Sequence, residues 1–134
     1  AMPEEEEILD DSQIKSKNIY VVLVNAKDQL LVEEELMDIS QLREGTKAFL
    51  DNWGKNPELS DNPQKAIVSL QNDRGTSYEM YIKVQNELSA AYRELRDREA
   101  QKKFGAYYAE LEGENKKMYP SKISEAEPKK VGGN

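Results

Sequence analysis

Hydrophobic positions fall into a few short runs separated by long polar stretches. Residues 19–24 (Ile-Tyr-Val-Val-Leu-Val) form a continuous β-branched and aromatic run. Its length and composition predict a strand buried on both faces. Turn-forming residues follow at 25–29, with Asn25 and Asp28 suited to left-handed backbone. Leu30-Leu31-Val32 then returns, so residues 19–32 predict a β-hairpin. Glu33 to Glu35 read as a polar turn, and Leu36-Met37 as a short extended piece.

The spacing then changes from strand-like to helical. Asp38 and Ser40 are both suited to cap a first helix. Ile39, Leu42, Phe49, Leu50 and Trp53 fall on one stripe, and Gly54 stands where a left-handed residue would end it. Residues 54–64 hold two prolines and read as a loop, 66–70 as a third strand, and 71–75 as a polar loop. Thr76-Ser77-Tyr78-Glu79 matches a capping box, in which the Thr hydroxyl and the Glu carboxylate satisfy orphan N–H groups reciprocally. The helix it opens carries Tyr81, Val84, Leu88, Ala91, Tyr92 and Leu95 at spacings of three and four, and runs through Lys103, either on to Leu111 as a projection from the core or to a break near Gly105. Residues 112–118 are polar, and 119–124 predict a short final strand with Pro120 at its start or at a sheet edge. The order strand, strand, helix, strand, long helix, strand predicts an α+β fold: a small mixed β-sheet with two helices packed on one face.

Length and charge place this fold in context. The chain has 134 residues, 37% of them hydrophobic, which suits one domain. The longest purely apolar run, 20–24, is far below the ~20 residues that cross a bilayer. Six acidic residues, Glu4 to Glu7 with Asp10 and Asp11, precede the first basic residue, Lys15. They account for most of the net charge of −7, so the rest of the chain is close to neutral. Residues 1–17 therefore read as an acidic disordered linker, 18–125 as the domain, and 126–134 as a disordered tail. No basic face offsets phosphate charge, so nucleic acid is not an expected partner. The chain has no Cys and no His, which removes thiol nucleophiles, disulfides, imidazole catalysis and the usual zinc sites. No cofactor is expected.

The segment at 18–32 (NIYVVLVNAKDQLLV), Asp38-Ile-Ser-Gln-Leu, the strand–loop–helix unit at 66–78 and Lys122-Ile-Ser-Glu together resemble the periplasmic domain of ExbD/TolR biopolymer-transport proteins, with a likeness to those of Bacteroides-type bacteria. In that family a strand ends in an Asp-containing loop and a Tyr follows near the next helix start. Asp73 and Tyr78 occupy those positions. Two departures stand out: residues 97–118 look like an insertion, and the family's transmembrane helix, with its proton-carrying Asp, is not among these residues. A membrane anchor is expected upstream. The resemblance implies a non-enzymatic periplasmic domain on the inner membrane that works with an ExbB-like channel protein and a TonB-like partner, coupling the proton gradient to outer-membrane transport. TolR-like relatives contact peptidoglycan and form homodimers, which gives an envelope-integrity role as the alternative.

Asp73, Arg74 and Tyr78 form the candidate partner-binding constellation. Arg74 can hold a carboxylate bidentately and Tyr78 offers an aromatic face. The bland counterpart is a capped helix start with a solvated ion pair. A sheet edge and a groove beside the second helix are further places for a partner peptide. Trp53 reads as core or as an interface anchor, and Tyr107-Tyr108 as half-buried packing on the long helix or as a contact patch. The rival class is a small glycan hydrolase using Asp73 and Glu79, which needs two carboxyls roughly 5–9 Å apart across a cleft. A third reading is a cytosolic adaptor of the same fold.

Overall fold

The computed structural model describes residues 15–125. The expected linker up to residue 14 and the expected tail from 126 lie outside the described residues. Strand β1 (Ile19–Val24) is central, pairing antiparallel with β2 (Leu30–Val32) and parallel with β4 (Ile67–Asn72). β3 (Glu35–Leu36) adds antiparallel to β2, and β5 (Ile123–Ser124) adds parallel to β4. The sheet order is β3-β2-β1-β4-β5. The predicted hairpin forms with Leu23 opposite Leu31, and the first parallel pair sets Val22 opposite Leu70.

Side chains alternate along a strand, so Tyr20, Val22 and Val24 share one face with their cross-strand neighbours. That face is buried and meets Leu42, Phe49 and Leu50 of α1 (Leu42–Leu50) and Val84, Leu88, Tyr92 and Leu95 of α2 (Tyr78–Phe104) in one core. Both helices therefore lie on the same side, and the α+β architecture expected from the sequence is the one found. Tyr20 stacks on Phe49, ring centroids 4.7 Å apart. Burial of β1 on both faces is only partly realised. Ile19 and Ser69 are buried, but Val21, Leu23 and Leu31 on the far face stay half-exposed because neither helix crosses there.

Several element ends differ from the sequence expectation, each for a local reason. Asp38 caps a 3₁₀ turn (Ile39–Gln41) that leads into α1, accepting from the Ser40 N–H at 3.3 Å. The helix stops at Leu50, short of Gly54. The Ser60 hydroxyl donates to the Phe49 carbonyl at 2.6 Å, and the Asn52 amide donates to the Ser60 carbonyl at 2.6 Å, so the following loop satisfies the helix end early. Strand β4 continues through Gln71 and Asn72, expected in the loop, because β1 extends beside them and the backbone ladder is indifferent to side-chain polarity. At α2 the capping box does not form. Ser77 is the N-cap, accepting from Met80 N–H at 3.1 Å, while the Thr76 hydroxyl turns to the carbonyls of Val24 and Asn25. Gly105, at φ +65°, closes α2, so of the two expected ends the break near Gly105 is found and the run on to Leu111 is not.

Of the expected final strand only two residues pair. Tyr119 sits at φ +45°, which takes the chain out of extended geometry just before Pro120. It is nevertheless buried, its carbonyl accepting from Arg96 at 3.1 Å. Tyr107 and Tyr108 lie beyond α2 rather than on it, at a 3₁₀ turn (Tyr108–Glu110). Tyr107 is exposed, and the Tyr108 ring is 5.1 Å from the Arg96 guanidinium. Across the helix pair, Arg43 reaches both Glu87 (2.9 Å) and Glu94 (2.6 Å), and Lys47 reaches Glu94 at 2.9 Å. At the start of the described chain, Lys17 pairs with Asp61 at 2.5 Å, and the Asn18 side chain accepts from the Asp61 N–H at 2.8 Å.

Candidate partner-binding site

Two loops at one end of the sheet are joined by their own polar groups. In the β1–β2 turn the Asn25 side chain accepts from the N–H groups of Lys27 and Gln29, both at 2.9 Å, and Asp28 takes φ +60°. The loop between β4 and α2 lies against this turn. Asp73 N–H donates to the Val24 carbonyl at 2.9 Å, and Ser77 N–H donates to the Asp28 carboxylate at 2.8 Å. That backbone bond holds the Asp28 carboxyl below its ordinary range. Gly75 is required here: it sits at φ +98°, and a Cβ would lie 3.4 Å from that of Ala26.

Anchored from beneath, the loop presents Asp73, Arg74 and Tyr78 outward. All three are exposed, Tyr78 at 78%. The ion pair in the bland reading of this loop is not formed. Among the described residues neither the Asp73 nor the Arg74 side chain makes a hydrogen bond or salt bridge, and the local pair is Glu79 with Lys83 at 3.7 Å. The structure thus places the three residues at one end of the domain but does not draw their side chains into contact.

The sequence reading named an edge and a groove in general terms; tertiary structure gives them a position. A cleft of about 410 Å³ opens between β3, the segment after it and the first turn of α2. Leu30, Leu36, Met37, Ile39 and Met80 form its apolar lining, and Asp28 and Asp38 stand on its rim. β3 is the outermost strand, and Leu36 is 68% exposed. Met37 N–H points inward to the Leu30 carbonyl at 3.0 Å. Backbone direction alternates along a strand, so the polar groups of Leu36 point away from β2, to the open edge. The signal in the sequence was Leu36-Met37 directly after an acidic run; that Met80, more than forty residues on, completes the cleft is a tertiary fact.

Asp73 and Glu79, the pair of the hydrolase reading, are both exposed and line neither this cleft nor the smaller one at the end of α1. Among the described residues no group of three or more His, Cys, Asp or Glu side chains is placed to hold a metal ion. No helix among them is long and apolar enough to cross a membrane.

These features define a small α+β domain with one helix-covered sheet face and, among the described residues, an open sheet edge beside an apolar cleft. The family follows from comparison: the model of the Biopolymer transport protein ExbD/TolR family matches residues 2–96, and the chain belongs to that family. No curated protein matches the chain. Membership brings a role in biopolymer transport or envelope integrity and, for the family, an inner-membrane anchor with a periplasmic domain. The matched range stops within α2, one residue before the segment read as an insertion.

Proposed function

We propose that this domain is the non-enzymatic periplasmic receiving end of an ExbD/TolR-type subunit, working with an ExbB-like channel protein and a TonB-like partner to couple the proton motive force to outer-membrane transport. The observation that carries the binding role is the β3 edge, unpaired among the described residues, with exposed Leu36 beside the 410 Å³ cleft. A monomeric domain gains nothing by exposing a large aliphatic side chain at a free sheet edge, and an extended partner segment would cover both. Asp73, Arg74 and Tyr78 stand at the same end of the domain, free to add polar and aromatic contacts. The work proposed is binding and transmission, a reading supported over hydrolysis by Asp73 and Glu79 lining neither of the two clefts described.

The test is an NMR titration of the domain with periplasmic segments of TonB-like proteins. Shifts confined to residues 28–39, 73–80 and their neighbours are expected, reduced by Leu36→Asp. Absence of shifts in both regions, with the partner segment in excess, would sink the proposal.

A further inference from the structure

The smaller cleft, of about 260 Å³, lies between the loop after α1, the last turns of α2 and the chain at 117–119, and shares no residue with the β3 groove. Two of its walls are aromatic. Trp53, the only tryptophan of the chain, is 51% exposed, and Tyr119 meets it edge-on with ring centroids 6.4 Å apart. Both residues hold left-handed backbone, at φ +51° and +45°, a conformation that bulky side chains rarely adopt and that concentrates at functional sites. One carboxylate fixes both rings. Asp51 accepts from the Trp53 indole N–H at 3.0 Å and from the Tyr119 hydroxyl at 2.5 Å. Arg98 closes the network with bonds to Asp51 at 3.0 Å and to the Tyr119 hydroxyl at 3.0 Å.

The consequence is a pair of rigid rings whose donors are already used, so the walls they offer are apolar. Met118 adds to them. Glu99 is occupied as well, by Arg98 at 2.8 Å and Lys103 at 4.0 Å. What remains at the rim is donor-rich: the Lys117 ammonium and the Gln64 amide, with the Lys103 ammonium held to Glu99 only at 4.0 Å and exposed. Lys117 reaches Glu114 at 3.1 Å, an exposed pair that a ligand can replace at little cost. Ammonium groups lining one cleft with a preorganised aromatic wall repel a cation and select an anion with an apolar body. We propose that this cleft binds a small carboxylate carried on an aromatic or apolar body, either a free aromatic acid or the C-terminal residue of a peptide. The proposal stands apart from the partner groove, because neither site needs the other.

Trp53 is its own reporter, since no other tryptophan contributes fluorescence. The whole chain is titrated with phenylacetate, with phenylacetamide, and with a short peptide ending in Phe as free acid and as amide. A saturable change in Trp53 emission is expected with one or both acids, weakened roughly tenfold for the matching amide, as loss of a charge-assisted contact implies. The double variant K103Q/K117Q should weaken the acid by a similar factor. Both lysines are exposed, so circular dichroism should show an unchanged fold. Phenylacetate alone responding identifies a free acid as the ligand, and the peptide alone responding identifies a chain terminus. No saturable response to either acid, equal response to acid and amide, or full binding by the double variant overturns the proposal.

Discussion

Asp51 shows how one side chain organises several others. Burial alone would raise its carboxyl, but hydrogen bonds from Arg98, Tyr119 and Trp53 outweigh that and hold it below the ordinary range. The same contact acts in the opposite sense on Tyr119, whose hydroxyl is pushed up to about 12 by burial and by its bond to the carboxylate. Burial also raises Tyr20 and Tyr92. A phenol held neutral by the fold contributes stability fully present below the unfolded value, about pH 10, and lost as pH rises through the folded value. Unfolding midpoints in urea should therefore fall between about pH 10 and 12, and Tyr119→Phe should reduce that slope. Tyr81 is raised as well, by its hydrogen bond to the Glu125 carboxylate, so an absorbance titration of the seven tyrosines should show Tyr20, Tyr81, Tyr92 and Tyr119 ionising late. For Asp51 the sign reverses: its contribution is present above about pH 4 and lost as pH falls through the depressed folded value. None of this was legible beforehand. Trp53 lies at helical spacing from Leu50 and so reads as core, but the helix ends at Leu50 and the residue swings out in left-handed backbone.

The start of α2 separates two readings of one tetrapeptide. A capping box makes Thr76 and Glu79 the stabilising residues, whereas the structure gives the cap to Ser77 and uses Thr76 to fasten the loop to β1. Ser77→Ala should cost about 1 kcal/mol in chemical denaturation. Glu79→Ala should leave stability almost unchanged, since that side chain is exposed and only ion-pairs with Lys83. A large effect at Glu79 would contradict the observed cap. Elements with strong periodicity were readable: the hairpin, the stripe of α1 and the run from Val84 to Leu95 are where the pattern put them. Element ends were not, because a strand such as β4 is prolonged by its neighbour and a helix such as α1 is closed by Ser60, eleven residues beyond the carbonyl it satisfies.

For the whole molecule, the sheet is organised around β1, and α2 supplies most of the cover. Leu88 is fully buried at the centre of that contact, so Leu88→Ala should cost about 2–5 kcal/mol by urea denaturation. Loss of far less would mean that α2 is held chiefly by its ends and by the ion pairs to α1. Partner binding belongs to this scale too, since the β3 cleft is assembled from the hairpin, the approach to α1 and the first turn of α2. What the sequence determined by itself was local: apolar runs of period two and 3.6, turn residues between them, and an acidic stretch ahead of a nearly neutral domain. These suffice for an α+β fold and a family likeness, because periodicity sets which face each element must bury. Tertiary structure alone decided that the far face of β1 stays half-open, that the Leu36 edge meets Met80, and that Trp53 meets Tyr119 across sixty-six residues of chain. Those outcomes depend on packing and on hydrogen bonds between distant segments, which no local pattern encodes.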